Sequence, residues 1–355
     1  MTTFTHADRY AKVIEVSKRV RWEIERDVIR GRRFDFSKAF LPDGLSLANE
    51  LAFMSPADRR LLGQVQGRTY AYMFGLVERF ISFETIALSQ ERVFGDQVAL
   101  EALVRMTDEE IKHQALFRRL EAMMAADMPA GYQMTAEPNA VAQAVLDKSR
   151  WAVLALTLDI ELFTQSHYRA SIEPDANLSP LWKDVFLFHW REESQHAILD
   201  ELEFVAEDAR LGTAERDAAV DDLIALVGEI DGLLQAQAAA DVRYFCAIAG
   251  TRYSDAKQAL IHETVLKAYR WQYIVSGASE PRFQKVLFPM LDDVQGMRIE
   301  NALAPLSYAV PRRSPATAAS PAGAQPCRPF TGRPSPAGRS RVWMSGLRAD
   351  SCSGC

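Results

Sequence analysis

The chain has 355 residues, of which 48% are hydrophobic, and it carries a formal net charge of -6. This length allows one large domain or two ordinary ones, and the hydrophobic content is sufficient for a sizeable buried core. The acidic balance, without a basic stripe interleaved with aromatic residues, argues against a nucleic-acid surface, so we expect no nucleic-acid partner.

Helical periodicity runs through most of the chain, and no convincing run of alternating β-branched residues predicts a strand. An amphipathic segment over residues 3–30 comes first. SPADRRLL then predicts a helix start, with Ser55 as N-cap and Pro56 at the first helical position, and the same pattern recurs at Ser179 and Pro180. The expected helices after the first segment cover residues 56–93, 97–126, 139–172, 180–210, 213–250, 255–274 and 282–302. Long antiparallel helices joined by short loops predict an all-α fold, a four-helix bundle with additional N- and C-terminal helices.

The composition changes at about Pro311, where Pro, Ala, Gly, Ser and Arg replace the apolar pattern. Such a segment cannot bury enough apolar surface to offset its ordering entropy. We therefore expect one domain over residues 1–305 and a disordered tail over residues 311–355.

The expected location is the cytoplasm, without membrane association. The start of the chain, MTTFTHADRY, lacks the basic-then-apolar pattern of a signal peptide. The most apolar segment, residues 151–163, is too short to span a bilayer and contains Asp159 and Glu161. Of the four cysteines, Cys246 lies alone in a helical pattern and the others are in the tail, which fits a reducing compartment.

Acids and histidines interrupt the apolar stripe of each of the four long helices. These residues are Glu78 on the first helix, Glu110 and His113 on the second, Glu161 on the third, and His189, Glu193, His196 and Asp200 on the fourth. Carboxylates that face a core need a partner, and no lysine or arginine lies on these stripes. The order Glu, Glu-x-x-His, Glu, Glu-x-x-His is the arrangement of di-iron and di-manganese carboxylate bundles, so a metal pair is the predicted partner.

The positions of the glutamates along the predicted hairpins support this site. Antiparallel helices place residues level when they are equidistant from the connecting turn. The midpoint of Glu78 and Glu110 falls in the break FGDQ, and that of Glu161 and Glu193 falls in EPDANLSP. Glu84 is the alternative to Glu78, but it lies off the stripe, so we prefer Glu78.

Two residues of the fourth helix have more than one interpretation. His189 is either a core histidine bonded to a backbone carbonyl or a third imidazole ligand, one turn before Glu193. Asp200 lies one turn beyond His196, where a carboxylate can orient the second ring nitrogen of a ligand. Its alternative is an ordinary capped or exposed aspartate.

The remaining residues of the segment HWREESQHA are expected to turn away from the metal pair. Those to which this applies are Trp190, Arg191, Glu192 and Gln195. Glu192 is accordingly predicted to be an ordinary acid on the helix surface.

The pattern resembles the di-iron N-oxygenases whose type member is p-aminobenzoate N-oxygenase, over roughly residues 10–300. The last ligand helix of that family carries His-x-x-x-Glu-x-x-His, which residues 189–196 match. The residues that match the family's ligands are, in chain order, Glu78, Glu110, His113, Glu161, His189, Glu193 and His196.

The resemblance implies a ferritin-like fold with two iron ions and a seventh protein ligand, His189. It also implies that the reduced centre uses dioxygen to oxidise an amine to a hydroxylamine, nitroso or nitro product. An arylamine and an amino-acid-derived amine both suit such an enzyme. Because the sequence has no flavin or nicotinamide fingerprint, electrons are expected from a separate reductase or redox carrier. Manganese at one position is an alternative to iron, and a homodimer is left open.

Two other functions stay open at this stage. A di-iron or manganese–iron oxidase or hydroxylase that acts on carbon would use the same ligands without needing His189. A ferritin-like iron-binding protein is less favoured, because this chain adds helical segments before and after the four ligand helices, and extra helices can form the walls of a substrate pocket.

Overall fold

The computed structural model describes residues 6–311. Within them the chain is mostly helical, and its β structure is limited to an isolated bridge between Ala39 and Leu178. The all-α prediction is therefore confirmed. The predicted disordered tail, apart from Pro311, lies outside the described residues, and the single domain over residues 1–305 stays a prediction.

Twelve α-helices are present in the described residues. They are α1 (His6–Arg19), α2 (Asp43–Ser46), α3 (Pro56–Arg92), α4 (Gln97–Asp127), α5 (Pro138–Leu146), α6 (Arg150–His167), α7 (Pro180–Asp208), α8 (Thr213–Ile248), α9 (Asp255–Arg270), α10 (Ser276–Ala278), α11 (Pro281–Leu287) and α12 (Asp293–Leu303). π-Helical turns cover Ile24–Ile29, Tyr168–Ile172 and Trp271–Val275, and 3-10 turns cover Ala48–Glu50, Phe288–Met290 and Ala304–Ala309.

Side-chain caps begin the first two long helices. The Ser55 hydroxyl accepts a hydrogen bond from the Asp58 amide at 3.1 Å, as the sequence predicts. The Asp96 carboxylate accepts from the amides of Val98 and Ala99 and so begins α4 directly after the FGDQ break. Each cap stabilises its helix by about 1 kcal/mol and fixes where the hairpin turns.

The predicted start of α7 is confirmed, but the predicted N-cap is absent. The helix begins at Pro180, as predicted, but the Ser179 hydroxyl does not cap it. That hydroxyl instead accepts a hydrogen bond from the Asp35 amide at 3.0 Å, which ties the long N-terminal connection to the start of the helix.

Some helices that were predicted to be continuous are divided. The segment 139–172 breaks before α6, where the Ser149 amide donates to Asp222 of α8 at 2.8 Å, and it ends in a π-helical turn. The segment 282–302 breaks at a 3-10 turn that contains Pro289, which has no amide hydrogen to continue the α-helix. Apolar periodicity stays in phase across such short breaks and does not reveal them.

Two helical hairpins form the centre of the molecule. α3 packs along α4, α6 packs along α7, and α4 also contacts α7. α1 lies across α4 and α7, while α8 packs on α6 and α3 and is itself covered by α9. A Cβ at Gly67 would come within 2.6 Å of the Phe40 Cβ, so glycine is required for the connection before α2 to lie against α3.

α8 is the one described helix that is long and apolar enough to cross a membrane, by length and composition alone. Only 33% of its apolar window is buried. Core helices of proteins that do not enter a membrane can be equally long and apolar. The expected absence of a membrane partner therefore stays a prediction.

Candidate metal centre

Buried donor atoms from α3, α4 and α7 converge in two overlapping groups, and within each group the atoms lie within 4.8 Å of one another. One group contains Glu78, His113, His189 and Glu193, and the other contains Glu110, His113, Glu193 and His196. Because His113 and Glu193 belong to both groups, the donors form one continuous cluster. Such a cluster of buried glutamates and histidines could hold metal ions.

Three helices meet at the first group. The His189 Nε2 lies 2.9 Å from the Glu193 Oε1 and 3.1 Å from the Glu78 Oε1. The His113 Nδ1 lies 3.0 Å from the same Glu193 oxygen. The Nε2 atom of His189 therefore points among carboxylates, as the ligand interpretation of this residue requires.

The second group is centred on His196. Its Nδ1 lies 2.8 Å from the Glu110 Oε1 and 3.0 Å from the Glu193 Oε2. Glu161 of α6 lies beside this group, with its Oε1 4.0 Å from the same nitrogen. All seven predicted ligands thus lie in or beside one cluster.

Glu84, the alternative first-helix ligand, does not belong to it. Its Oε1 forms an ion pair with the Arg150 Nε at 2.9 Å. Glu78, one and a half turns earlier on α3, is the residue that faces the histidines.

Each carboxylate of the cluster has at least one buried oxygen without the hydrogen-bond partner that such an atom ordinarily has. The atoms without a hydrogen-bond partner include Glu78 Oε2, both oxygens of Glu110, Glu161 Oε2, Glu193 Oε1 and His113 Nδ1. Over residues 6–311, no lysine or arginine forms an ion pair with any of these four glutamates. Two divalent cations would satisfy these atoms, and mixed imidazole and carboxylate donors suit iron or manganese better than thiolate sets do.

Protons partly take the place of that positive charge in the metal-free chain. Burial raises the pKa of Glu161 well above its usual value, and the negative charge of Glu193 raises it further. Burial alone would lower the pKa of His113 and of His196, but the surrounding carboxylates raise both pKa values well above the usual range. Metal binding at this cluster must therefore release protons.

Two further glutamates hold the outer nitrogens of the histidines. The His113 Nε2 lies 2.8 Å from the Glu192 Oε2, and the His196 Nε2 lies 2.9 Å from the Glu109 Oε2. Each histidine is bonded to a glutamate of the opposite helix, so α4 and α7 brace each other reciprocally. Such a contact fixes the tautomer and leaves Nδ1 free to bind metal.

The prediction that Glu192 is a surface acid was wrong, since its side chain is fully buried. Gln195 was also expected to turn away, but it is buried and donates to the Glu109 Oε2 at 2.7 Å. A detectable signal existed: Glu-Glu-x-x-His occurs on both helices, at residues 109–113 and 192–196. The first glutamate of each motif lies about 100° around the helix from the second, off the inner stripe but toward the neighbouring helix.

The other expectations for α7 have mixed outcomes. Asp200 is buried, but the outer nitrogen of His196 is occupied by Glu109, so the orienting role predicted for Asp200 was wrong. Trp190 does turn away and stacks on Tyr168, with ring centroids 5.0 Å apart.

Aromatic rings enclose the cluster near His189. The rings of Phe74 and Phe117 each have their centroid 5.2 Å from that of His189, and Phe186 packs against Phe74. On the opposite flank, the ring of Trp22 is stacked on His113 at 5.9 Å with an interplanar angle of 10°. The candidate metal centre therefore lies in an apolar surrounding that limits access of water.

Comparisons with known proteins gave no match to a family model, to a curated protein or to a solved structure. The residues and their geometry are thus the basis for any function assigned to this chain.

Proposed function

We propose that this chain is a di-iron, dioxygen-dependent N-oxygenase with a ferritin-like arrangement of α3, α4, α6 and α7. The observation that carries the proposal is the position of His189. It adds a third imidazole to the two Glu-x-x-His motifs, with its Nε2 2.9 Å from Glu193 and 3.1 Å from Glu78. This histidine is what the resemblance to amine N-oxygenases depends on.

Seven side chains would hold the metal pair. They are Glu78, Glu110, His113, Glu161, His189, Glu193 and His196. Two irons in such a site supply dioxygen activation and transfer of an oxygen atom to an amine nitrogen. Manganese at one of the positions remains the alternative metal.

The chain's own residues orient the ligands and exclude water. Glu192 and Glu109 accept the Nε2 hydrogens of His113 and His196 and so present both Nδ1 atoms to the metals. The Phe74 and Phe117 rings beside His189 keep that side of the centre dry, which protects a reactive oxidant from side reactions. The amine substrate is an arylamine or an amino-acid-derived amine.

Three expectations about partners belong to the same proposal. The enzyme takes electrons from an external reductase or redox carrier, since no cofactor motif for internal reduction is present in the sequence. It acts in the cytoplasm, without nucleic acid or membrane, and a homodimer is compatible with it.

The test begins with metal analysis of the purified full chain, with about two irons per chain expected. The reduced, loaded protein is then exposed to dioxygen with a panel of amines, and products are identified by mass spectrometry. We expect oxygen on nitrogen, and we expect His189→Ala to lose amine oxidation while the control His262→Ala retains it. Normal N-oxygenation by a fully loaded His189→Ala protein would contradict the role given to that residue.

Two competing functions are separable in the same experiment. A hydroxylase or oxidase that acts on carbon would leave amines unchanged and oxidise a C–H substrate with the same metal content. An iron-binding protein would take up iron and consume dioxygen without any organic product. Either result would replace the N-oxygenase proposal.

A further inference from the structure

We propose that electrons reach the metal pair through Trp22, and that the arginine-bearing surface over Trp22 binds an acidic one-electron carrier. This inference rests on the proposed function, because that function needs an external donor. It adds the route of entry, a docking surface and the chemical character of the partner.

Trp22 is in direct contact with the candidate centre. Its ring stacks almost parallel on the imidazole of His113, a residue that belongs to both groups of donors. The indole is 4% exposed, and its Nε1 has no hydrogen-bond partner. No structural hydrogen bond therefore explains why a tryptophan occupies this position.

The same indole also lies close to the surface. The Lys112 ammonium sits 4.1 Å from the centroid of the Trp22 ring and binds the Glu192 Oε1 at 2.5 Å. The side chain of Lys112 remains 23% exposed. A single ring thus spans the distance from a partly exposed lysine to a candidate ligand, and electron transfer is fastest across short, well-packed gaps.

Two exposed arginines lie next to Trp22 in the chain or one aromatic ring away from it, although the whole chain is acidic, with a net charge of -6. Arg21 precedes the indole in the chain, and Arg191 packs its guanidinium 5.0 Å from the centroid of Phe188, whose ring contacts Trp22. Both arginines are exposed, and neither has an ion-pair partner among residues 6–311.

Nearby acids of the same segment pair with other arginines. Glu25 pairs with Arg119 at 2.6 Å, while Arg26 pairs with both Asp27 at 2.7 Å and Glu23 at 3.3 Å. Arg21 and Arg191 take no part in these ion pairs, so their positive charge is available to an outside partner. Such charge steers an acidic partner to this surface and orients it there.

The electron balance is simple. In each encounter an iron–sulfur carrier would lose one electron, and one ferric ion held by the centre would gain it and become ferrous. Two encounters reduce the pair, and no bond to Trp22 is formed or broken.

The docking surface is tested with an acidic plant-type [2Fe–2S] ferredoxin as the probe. Binding to the full-length, iron-loaded protein is measured by calorimetry at low and at high salt. We expect the double variant R21E/R191E to weaken binding about tenfold and to lose most of the salt dependence. R252E, on the connection between α8 and α9, is the matched control and should bind normally. Equal affinity in the two variants would overturn the docking surface.

The electron route is tested with Trp22→Phe, which keeps an aromatic ring but one that takes part in electron transfer less readily. Trp190→Phe is the control. Reduction of the ferric protein is followed by stopped-flow absorbance, once with reduced ferredoxin and once with dithionite. We expect Trp22→Phe to slow reduction by ferredoxin about tenfold, a barrier higher by about 1.4 kcal/mol, with unchanged iron content and ferredoxin affinity. An unchanged rate with ferredoxin would overturn the route.

Failure here is distinguishable from failure of the proposed function. Ferredoxin binding and iron reduction need no amine, whereas N-oxygenation can be driven by dithionite alone. The proposed function would stand without this inference if dithionite still supported amine oxidation while neither ferredoxin binding nor reduction by ferredoxin changed in the variants.

Discussion

Two groups of buried carboxylates in this molecule have opposite environments. Asp241 of α8 is fully buried, and its Oδ2 accepts hydrogen bonds from Tyr269 and from Thr69, the latter at 2.6 Å. Its Oδ1 accepts from the Gln237 amide at 2.9 Å. Every oxygen of this carboxyl group has a donor, so the protein alone accounts for its burial.

Each glutamate of the candidate metal centre, in contrast, has at least one oxygen without a donor. Both oxygens of Glu110 and one oxygen each of Glu78, Glu161 and Glu193 are buried without a hydrogen bond. Burial of an unpartnered carboxylate is strongly unfavourable, whereas a partnered one is tolerated. Missing donors, more than the burial of acids itself, therefore indicate a cation site.

Iron binding should give the largest change in stability, and this change should depend on the glutamates of the candidate metal centre and not on Asp241. Ferrous iron added without oxygen should stabilise the folded chain, by about 4 kcal/mol when free iron exceeds the dissociation constant a thousandfold. Thermal unfolding with and without iron measures this. Asp241→Asn should gain as much from iron as the unmodified chain. No shift in either protein would contradict a metal site.

The next effect is a pH dependence that belongs to Asp241. Burial raises the pKa of this carboxyl to about 7, against an ordinary value of 3.8. The folded chain then holds a proton that the unfolded chain releases, so this stabilisation is complete below about pH 4 and is lost as the pH rises through about 7. The free energy of unfolding should therefore fall by on the order of a few kcal/mol across this pH range, and Asp241→Asn should remove that fall. Chemical denaturation at several pH values measures it. Parallel pH profiles for the two proteins would refute the assignment.

A smaller effect, on metal affinity, should appear when the contacts that orient the histidines are weakened. These contacts, the braces, are those of Glu192 with His113 and of Glu109 with His196. Glu192→Gln and Glu109→Gln should each lower metal affinity by about 10- to 100-fold, because the imidazoles lose their fixed orientation. Competition with a chelator measures the affinity. Asp200→Asn is the control, since no hydrogen bond links Asp200 to His196. A loss for Asp200→Asn as large as that for the two brace variants would show that the braces have no special role.

The smallest effect concerns the metal-free chain. Glu161→Gln should stabilise apo protein by about 1 kcal/mol, because it removes an acid whose pKa is raised by burial and by Glu193. The same variant should weaken metal binding. Chemical denaturation of apo and loaded protein gives both numbers. Destabilisation of the apo form would mean that Glu161 contributes to the fold as Asp241 does.

Much of the candidate site was predictable because its ligands obey local rules. Glu110 and His113 are three residues apart and must share a face of α4, and the same spacing holds for Glu193 and His196. Ser55 marked the start of α3 correctly, since its cap depends only on residues within one turn. The choice of Glu78 over Glu84 followed from its stripe position and from its distance to the FGDQ turn, which equals that of Glu110.

The braces were not predictable from one helix at a time. Glu192 and Glu109 lie off the inner stripe, where an isolated amphipathic helix carries solvated side chains. In the assembled molecule α1 covers α4 and α7, so each of these helices buries a wider arc than a single stripe. The break before α6 escaped detection because its cause, the contact between Ser149 and Asp222, joins distant parts of the chain.

The all-α class, the main helix starts and the residues that share each inner face could be predicted from the sequence, because these features depend on spacing along the chain. The packing of the helices was needed to show which glutamates orient the histidines and that Trp22 stacks on His113. It was also needed to show which buried carboxylates have donors. These features depend on contacts between helices far apart in sequence, and burial itself arises only when those helices pack.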